Sequence, residues 1–147
     1  MNFILPLLFA LVAGIAMAIQ GTLNSVLAKI IGLLEATFIV HIIGVVVVCI
    51  ALFGLRLGEG SLAKMSQVPW YGYLGGIISV LIIYFVVASI PKVGVANATT
   101  AIIVGQLTTA MIIDCTGLFG MEKVAVTWVK AVGMILLVAG ARLMLIR

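Results

Sequence analysis

Five stretches of the chain run for about twenty residues or more with at most two charges each, and each of the first four is closed by a glycine or a proline. A helix of that length crosses the roughly 30 Å of hydrocarbon in a bilayer. Within lipid, only a helix or a closed barrel satisfies its own backbone hydrogen bonds. The runs cover residues 3–31, 36–57, 70–90, 95–119 and 124–145. The expected architecture is therefore an all-α integral membrane protein, with five transmembrane helices forming a single domain over residues 1–147. Eight Lys and Arg with four Asp and Glu among 147 residues cannot cover a water-facing surface. A mean hydropathy of +1.45 agrees.

The breaks have local causes. Gly32 and Glu35 separate the first two runs, and Gly58-Glu59-Gly60-Ser61 follows the second. Pro69-Trp70-Tyr71 opens the third with a proline at a helix start and two aromatics suited to the membrane interface. Pro91-Lys92-Val93-Gly94 reads as a turn of about four residues, which predicts antiparallel neighbours on either side. Gly120-Met121-Glu122-Lys123 precedes the fifth run. Leu5 to Ala18 imitates the apolar core of a signal peptide, but no Lys or Arg precedes it and the hydrophobicity continues past Ala18, so it reads as the first span.

Charge excludes some partners and leaves orientation open. The cations stand singly, without the basic patch that nucleic acid requires. Cys49 and Cys115 lie in apolar runs and read as small hydrophobes. With five spans the termini fall on opposite sides. Arg56, Lys64, Lys123 and Lys130 collect on the N-terminal side, and Lys29, Lys92, Arg142 and Arg147 on the other. Lys/Arg asymmetry in short loops sets orientation, so four against four expresses no preference. Either one dominant loop resolves the tie, or the chain inserts both ways and pairs as an antiparallel homodimer, an arrangement suited to alternating access.

Polar side chains inside the runs are the candidate site. Counting about 1.5 Å per residue from each helix end places Gln20 about 16 Å and Gln106 about 18 Å from the C-terminal side, near the midplane. Asn24 follows Gln20 by one turn on the same face. His41, Tyr84 and Thr100 fall at about 9 to 10 Å. Polar groups at such depths seek a bundle interior. They either line a solute cavity or glue helices together at about 1 kcal/mol each, and His41 reads first as a structural histidine. Asp114 is the one acid well inside a run, about 9 Å from the N-terminal side. It is either a proton-coupling carboxylate or an interfacial partner of Lys123 or Lys130. Gly14, Ala18, Gly21, Ser25 and Ala28 form a small-residue stripe, and Gly133 and Gly140, one heptad apart, suit dimer packing. No catalytic constellation, phosphate loop or metal pattern is present in the sequence, so neither an enzyme nor a cofactor or metal is expected.

Taken in order, these residues resemble a known family. The run Gly14, Gln20, Asn24 and Leu27, then Pro69-Trp70 with Leu74-Gly75-Gly76, then Gly105-Gln106-Leu107 and Asp114 with Gly117-Leu118-Phe119-Gly120 is similar to the YdcZ-like family of the drug/metabolite transporter superfamily. The resemblance covers nearly the whole chain. It implies a five-helix unit like one half of the ten-helix EamA-type transporters, working as an antiparallel homodimer in the bacterial inner (plasma) membrane. Gly133 to Gly140 also resembles the last-helix dimerisation motif of small multidrug resistance transporters. Two positions depart from the family, with Cys115 where a histidine commonly follows the aspartate and His41 where a serine often stands. Small multidrug transporters carry a glutamate in helix one, and this chain has Gln20 and Asn24 there. The function the resemblance implies is transport of a small neutral or zwitterionic solute by alternating access. The alternative is a non-transporting assembly or accessory protein in which the polar layer is packing.

Overall fold

A computed structural model describes residues 4–146. It is all-helical, with no strand among the described residues: α1 (Ile4–Ile31), α2 (Leu33–Cys49), α3 (Leu74–Val93), α4 (Val95–Thr116) and α5 (Trp128–Leu145). Five helical segments are long and apolar enough to cross a membrane. Phe3, taken above as the start of the first run, and Arg147, counted among the C-terminal-side cations, lie outside the described residues.

The helices divide into two compact units, the first reaching Pro91 and the second starting at Lys92. In the first, α1 and α2 are joined by Gly32 alone. Its φ of 104° and ψ of 158° lie in a region open essentially to glycine. The Gly32 N–H donates back to the Ala28 carbonyl and its own carbonyl accepts from Ala36, so one residue closes one helix and opens the next. Gly94 likewise stands alone between α3 and α4, with φ 86° and ψ 159°, and its carbonyl accepts from the Ala98 N–H at 3.1 Å. The four-residue turn expected at Pro91 is therefore one residue long. Helix α3 runs through Pro91 in its last turn, where the proline has no N–H to donate to the Val87 carbonyl.

Three other ends differ from the apolar runs. Helix α2 finishes in a wide turn, Ile50–Gly54, in which the Leu55 N–H reaches the Ile50 carbonyl, and Arg56 then takes a left-handed φ of 53°. The polar segment beyond it and the start of the third run are short 3₁₀ turns, Leu62–Gln67 and Trp70–Tyr73. Helix α4 stops at Thr116 because Gly117 adopts the left-handed conformation (φ 67°) and returns its N–H to the Ile113 carbonyl. Residues 121–127 have no helical turn, although the apolar run begins at Val124. The Val124 N–H is tied to the Asp114 carbonyl at 2.9 Å, and Thr127 caps α5 by accepting from the Lys130 N–H at 3.3 Å.

Few side chains are buried. The buried apolar residues are Ala36, Val87 and Ile90 in the first unit and Ala98 and Ala141 in the second, whereas Phe9, Leu11, Ile15, Val47, Ile77, Phe85, Ile135 and Leu136 are among many left open. Water would make such a surface costly, and lipid tails cover it without cost. In the first unit burial falls on one stretch: Gly21, Asn24 and Ser25 of α1, Ala36 and Thr37 of α2, and Val87 and Ile90 of α3. Gly21 is where α1 meets α3. A Cβ there would stand 3.0 Å from both Ile90 Cδ1 and Val86 Cγ1.

Helix α3 crosses the α1–α2 hairpin obliquely. Counted from Gly32, Gly21 and His41 stand within about 3 Å of the same level. Their partners on α3 are far apart along that helix: Val86 and Ile90 opposite Gly21, Ser79 opposite His41. That is about 10 to 16 Å of helix for almost no change of level on the hairpin.

Candidate functional site

The polar residues of the first unit sort into those whose hydrogen bonds are taken and those whose are not. Thr22, Ser25 and Thr37 return their hydroxyl protons to carbonyls one turn back, at 2.9, 2.8 and 2.9 Å. Such bonds take up the one proton of each hydroxyl within its own helix. His41 is half-buried and doubly held. Its Nδ1 lies 2.7 Å from the Thr37 carbonyl and its Nε2 lies 3.2 Å from Ser79 Oγ on α3. Tyr84 is half-buried, edge-on to Phe85 at 5.7 Å between ring centroids. It stands five residues, about 7.5 Å, beyond Ser79 along α3, so Ser79 rather than Tyr84 meets His41.

Asn24 is different. It is only 8% exposed, and its side-chain amide has no hydrogen bond among the described residues. No sealed side-chain nitrogen or oxygen is left unsatisfied among them either. Both statements hold only if the Asn24 amide atoms keep the small opening that the rest of the residue lacks. An amide in that situation offers two donors and an acceptor to whatever enters the opening. One turn earlier, Gln20 is exposed and likewise without a side-chain bond. It flanks the buried stripe, about 40° around the helix from Asn24.

In the second unit, Thr100 is buried and satisfied. Its hydroxyl donates to the Ala96 carbonyl at 2.8 Å, with Met144 Sδ of α5 3.7 Å away. Gln106 is exposed midway along α4, about 15 Å from either end, with no side-chain bond among the described residues. Asp114 is half-buried in the last turn of α4, about 3 Å from the helix end, because that helix stops three residues earlier than its apolar run. Its side chain makes no ion pair with Lys123 or Lys130 among the described residues; its backbone carbonyl is the group engaged, by Val124. A Cβ on Gly133 or Gly140 would meet nothing within 4 Å. No group of three or more His, Cys, Asp or Glu among the described residues is placed to hold a metal ion.

Sequence reasoning missed Ser79, the partner of His41. Depth counting treats all helix ends as level, and the oblique course of α3 breaks that assumption. The buried hydroxyls Ser25 and Thr37 were also passed over as site residues, and their own-helix bonds make them structural. Among the polar residues singled out, the amides of Gln20, Asn24 and Gln106, the Tyr84 hydroxyl and the Asp114 carboxylate are the groups without a side-chain hydrogen bond among the described residues, and of these Asn24 is the one that is buried.

A family model described as "Putative inner membrane exporter, YdcZ" matches residues 5–143. Comparison with the curated proteins and with the solved structures gives no match.

Proposed function

The chain belongs to the YdcZ family of the drug/metabolite transporter superfamily, and from that premise we propose that it carries a small neutral or zwitterionic solute by alternating access, as an antiparallel homodimer of two oppositely inserted copies. It is an integral inner-membrane protein of a transporter family. The observation that carries the solute reading is the Gln20–Asn24 pair: a buried, unpaired amide with a small opening, and a second unpaired amide one turn away. Retaining such groups inside an apolar helix is costly unless a ligand or a partner surface uses them. Amides recognise carbonyl, hydroxyl and amine groups and bear no charge, so a solute without net charge fits them. Gln106 offers the same chemistry from α4 and enters on its mid-helix place alone.

His41 and Thr100 have their hydrogen bonds taken and act in this reading as packing residues. Tyr84 supplies a ring edge. Asp114, in the last turn of α4, fits an interfacial carboxylate better than a coupling group at the midplane. Two observations support the dimer. The balanced cations leave orientation undecided. Gly133 and Gly140 are open to the close approach of another helix.

The test is a thermal-shift screen of purified protein against a library of small polar metabolites. A binder gains RT ln(1 + [L]/Kd), about 2.7 kcal/mol at a hundredfold excess over Kd. A compound that stabilises wild type and leaves Asn24→Ala unmoved supports the reading. A library that stabilises nothing favours the accessory-protein alternative.

A further inference from the structure

Between the end of the second span at Gly54 and the start of the third at Trp70, the chain is fastened back onto the helix ends. The Leu57 N–H donates to the Ala51 carbonyl at 3.0 Å, and the Leu52 side chain occupies the place a Cβ on Gly58 would take. Further on, the Met65 carbonyl accepts two bonds, from the Val68 N–H at 3.0 Å and from the Tyr73 hydroxyl at 2.6 Å. Val68 also lies against Gly72, where an added Cβ would stand 2.8 Å from Val68 Cγ1. The 3₁₀ turn Leu62–Gln67 is thereby tied to the 3₁₀ turn Trp70–Tyr73 that leads into α3. Three residues per turn align the side chains at i and i+3. Leu62–Gln67 accordingly has three edges: Leu62 with Met65, Ala63 with Ser66, and Lys64 with Gln67. The first is apolar and exposed, and the last carries the one charge of the turn.

We propose that the Leu62–Gln67 turn is a phospholipid-docking surface, lying along the membrane plane with the Leu62–Met65 edge against the acyl chains and Lys64 turned to the lipid phosphates. Three features commit the occupant to phospholipid. The turn stands between two helices that cross the bilayer, and its bond to Tyr73 keeps it beside the start of the second of them. Its apolar edge continues a surface that lipid already covers: Phe53, Leu55 and Leu57 before it and Val68 and Trp70 after it are all exposed. The charged residues between the spans are Arg56, Glu59 and Lys64, and none of them falls on the apolar edge. Lys64 lies about a third of a turn from that edge, where a long stem follows apolar surface while its ammonium reaches the phosphates. An apolar face with a cation beside it is the pattern of a segment that rests in the headgroup layer. Through the Tyr73 bond the docked turn holds the start of α3, with Trp70 and Tyr71, at the interface. The inference rests on this segment alone and goes beyond the solute reading.

Spin labels test this in the full-length chain with Cys49→Ala and Cys115→Ala, which removes both native thiols. Single cysteines are placed in turn at each position from Leu62 to Gln67, and the protein is reconstituted into nanodiscs of phosphatidylcholine and phosphatidylglycerol. Power saturation then compares collision with oxygen, which concentrates in lipid, against a water-soluble nickel chelate. The expected ratio of oxygen to nickel accessibility repeats every three residues, several-fold higher at positions 62 and 65 than at 64 and 67. Tyr73→Phe, which removes the bond to the Met65 carbonyl, narrows that contrast. A ratio that is flat along the turn and favours nickel throughout would put the segment in water and overturn the proposal. Labels at 62 and 65 shielded from both reagents would overturn it in favour of protein, a second copy included, as the cover of that edge. A contrast that Tyr73→Phe leaves at its full size would refute the part given to the Tyr73 bond. Because no solute is present, a threefold pattern in a protein that no metabolite stabilises supports the docking surface while the transport reading fails.

Discussion

Replacing Gly21 by leucine tests whether α1 and α3 meet where the structure puts them. An added Cβ stands 3.0 Å from Ile90 Cδ1 and 3.0 Å from Val86 Cγ1, about half an ångström inside ordinary contact. Both obstacles are side-chain tips, so alanine asks only for small shifts. The helix-propensity gain of about 1 kcal/mol for Gly→Ala then offsets much of the strain. Leucine adds three more carbons behind that Cβ, where Val87 and Ile90 are already buried. Overpacking of that kind costs about 1 to 3 kcal/mol. The control is Gly14→Leu on the same helix, where a Cβ meets nothing within 4 Å. The assay is reversible unfolding in mixed micelles, comparing midpoints of the three variants with wild type. The expected order puts Gly21→Ala close to wild type, Gly14→Leu no lower than wild type, and Gly21→Leu well below. Equal losses for Gly14→Leu and Gly21→Leu would show that leucine harms any position of α1 and that the α1–α3 contact is misplaced.

Three further outcomes follow from particular residues. C-terminal fusions to a periplasmically active phosphatase and to a cytoplasmically fluorescent protein should both give signal, and two lysines added to one side should silence one of them; a wild-type chain that lights a single reporter refutes dual insertion. Gly140→Leu should lower the cross-linked dimer fraction in membranes by filling a surface that is open in the single chain, and an undiminished fraction would place the interface elsewhere. Thr127→Ala should cost about 1 kcal/mol by removing the α5 cap, with Thr127→Ser recovering most of it; unfolding midpoints read both, and a neutral alanine would mean the cap contributes nothing.

The five spans were legible because apolar length is a coarse signal that tertiary packing does not alter. Gly32 and Gly94 were legible as breaks, and their single-residue economy was not: only the backbone angles show that each stands alone between two helices. Hydropathy carried the fifth run back to Val124, because Val124 and Val126 are as apolar as helix residues. What holds Val124 out of the helix is a bond to the Asp114 carbonyl, which no periodicity records. The same early stop of α4 moved Asp114 from inside the run to the last turn. In the candidate site, the residue types were readable and the spare capacity was not. Gln20, Asn24, His41 and Thr100 look alike as polar interruptions. Which of them is already satisfied depends on bonds to Thr37, Ser79, Ala96 and Met144. His41 and Ser79 are 38 positions apart, and the oblique path of α3 puts their meeting beyond any count of helical rise.

The transport reading stands on an amide that is buried, unpaired and open to an entering solute, so the most direct measurement is ligand-dependent unfolding of wild type, Asn24→Ala and Gln20→Ala against the same stabilising metabolite. The account predicts a wild-type gain that grows with the logarithm of ligand concentration. Both variants should lose that gain while their ligand-free stability falls by no more than about 1 to 2 kcal/mol. Variants that keep the full ligand response, or that lose stability without ligand by several times that amount, would contradict it and make the two amides structural.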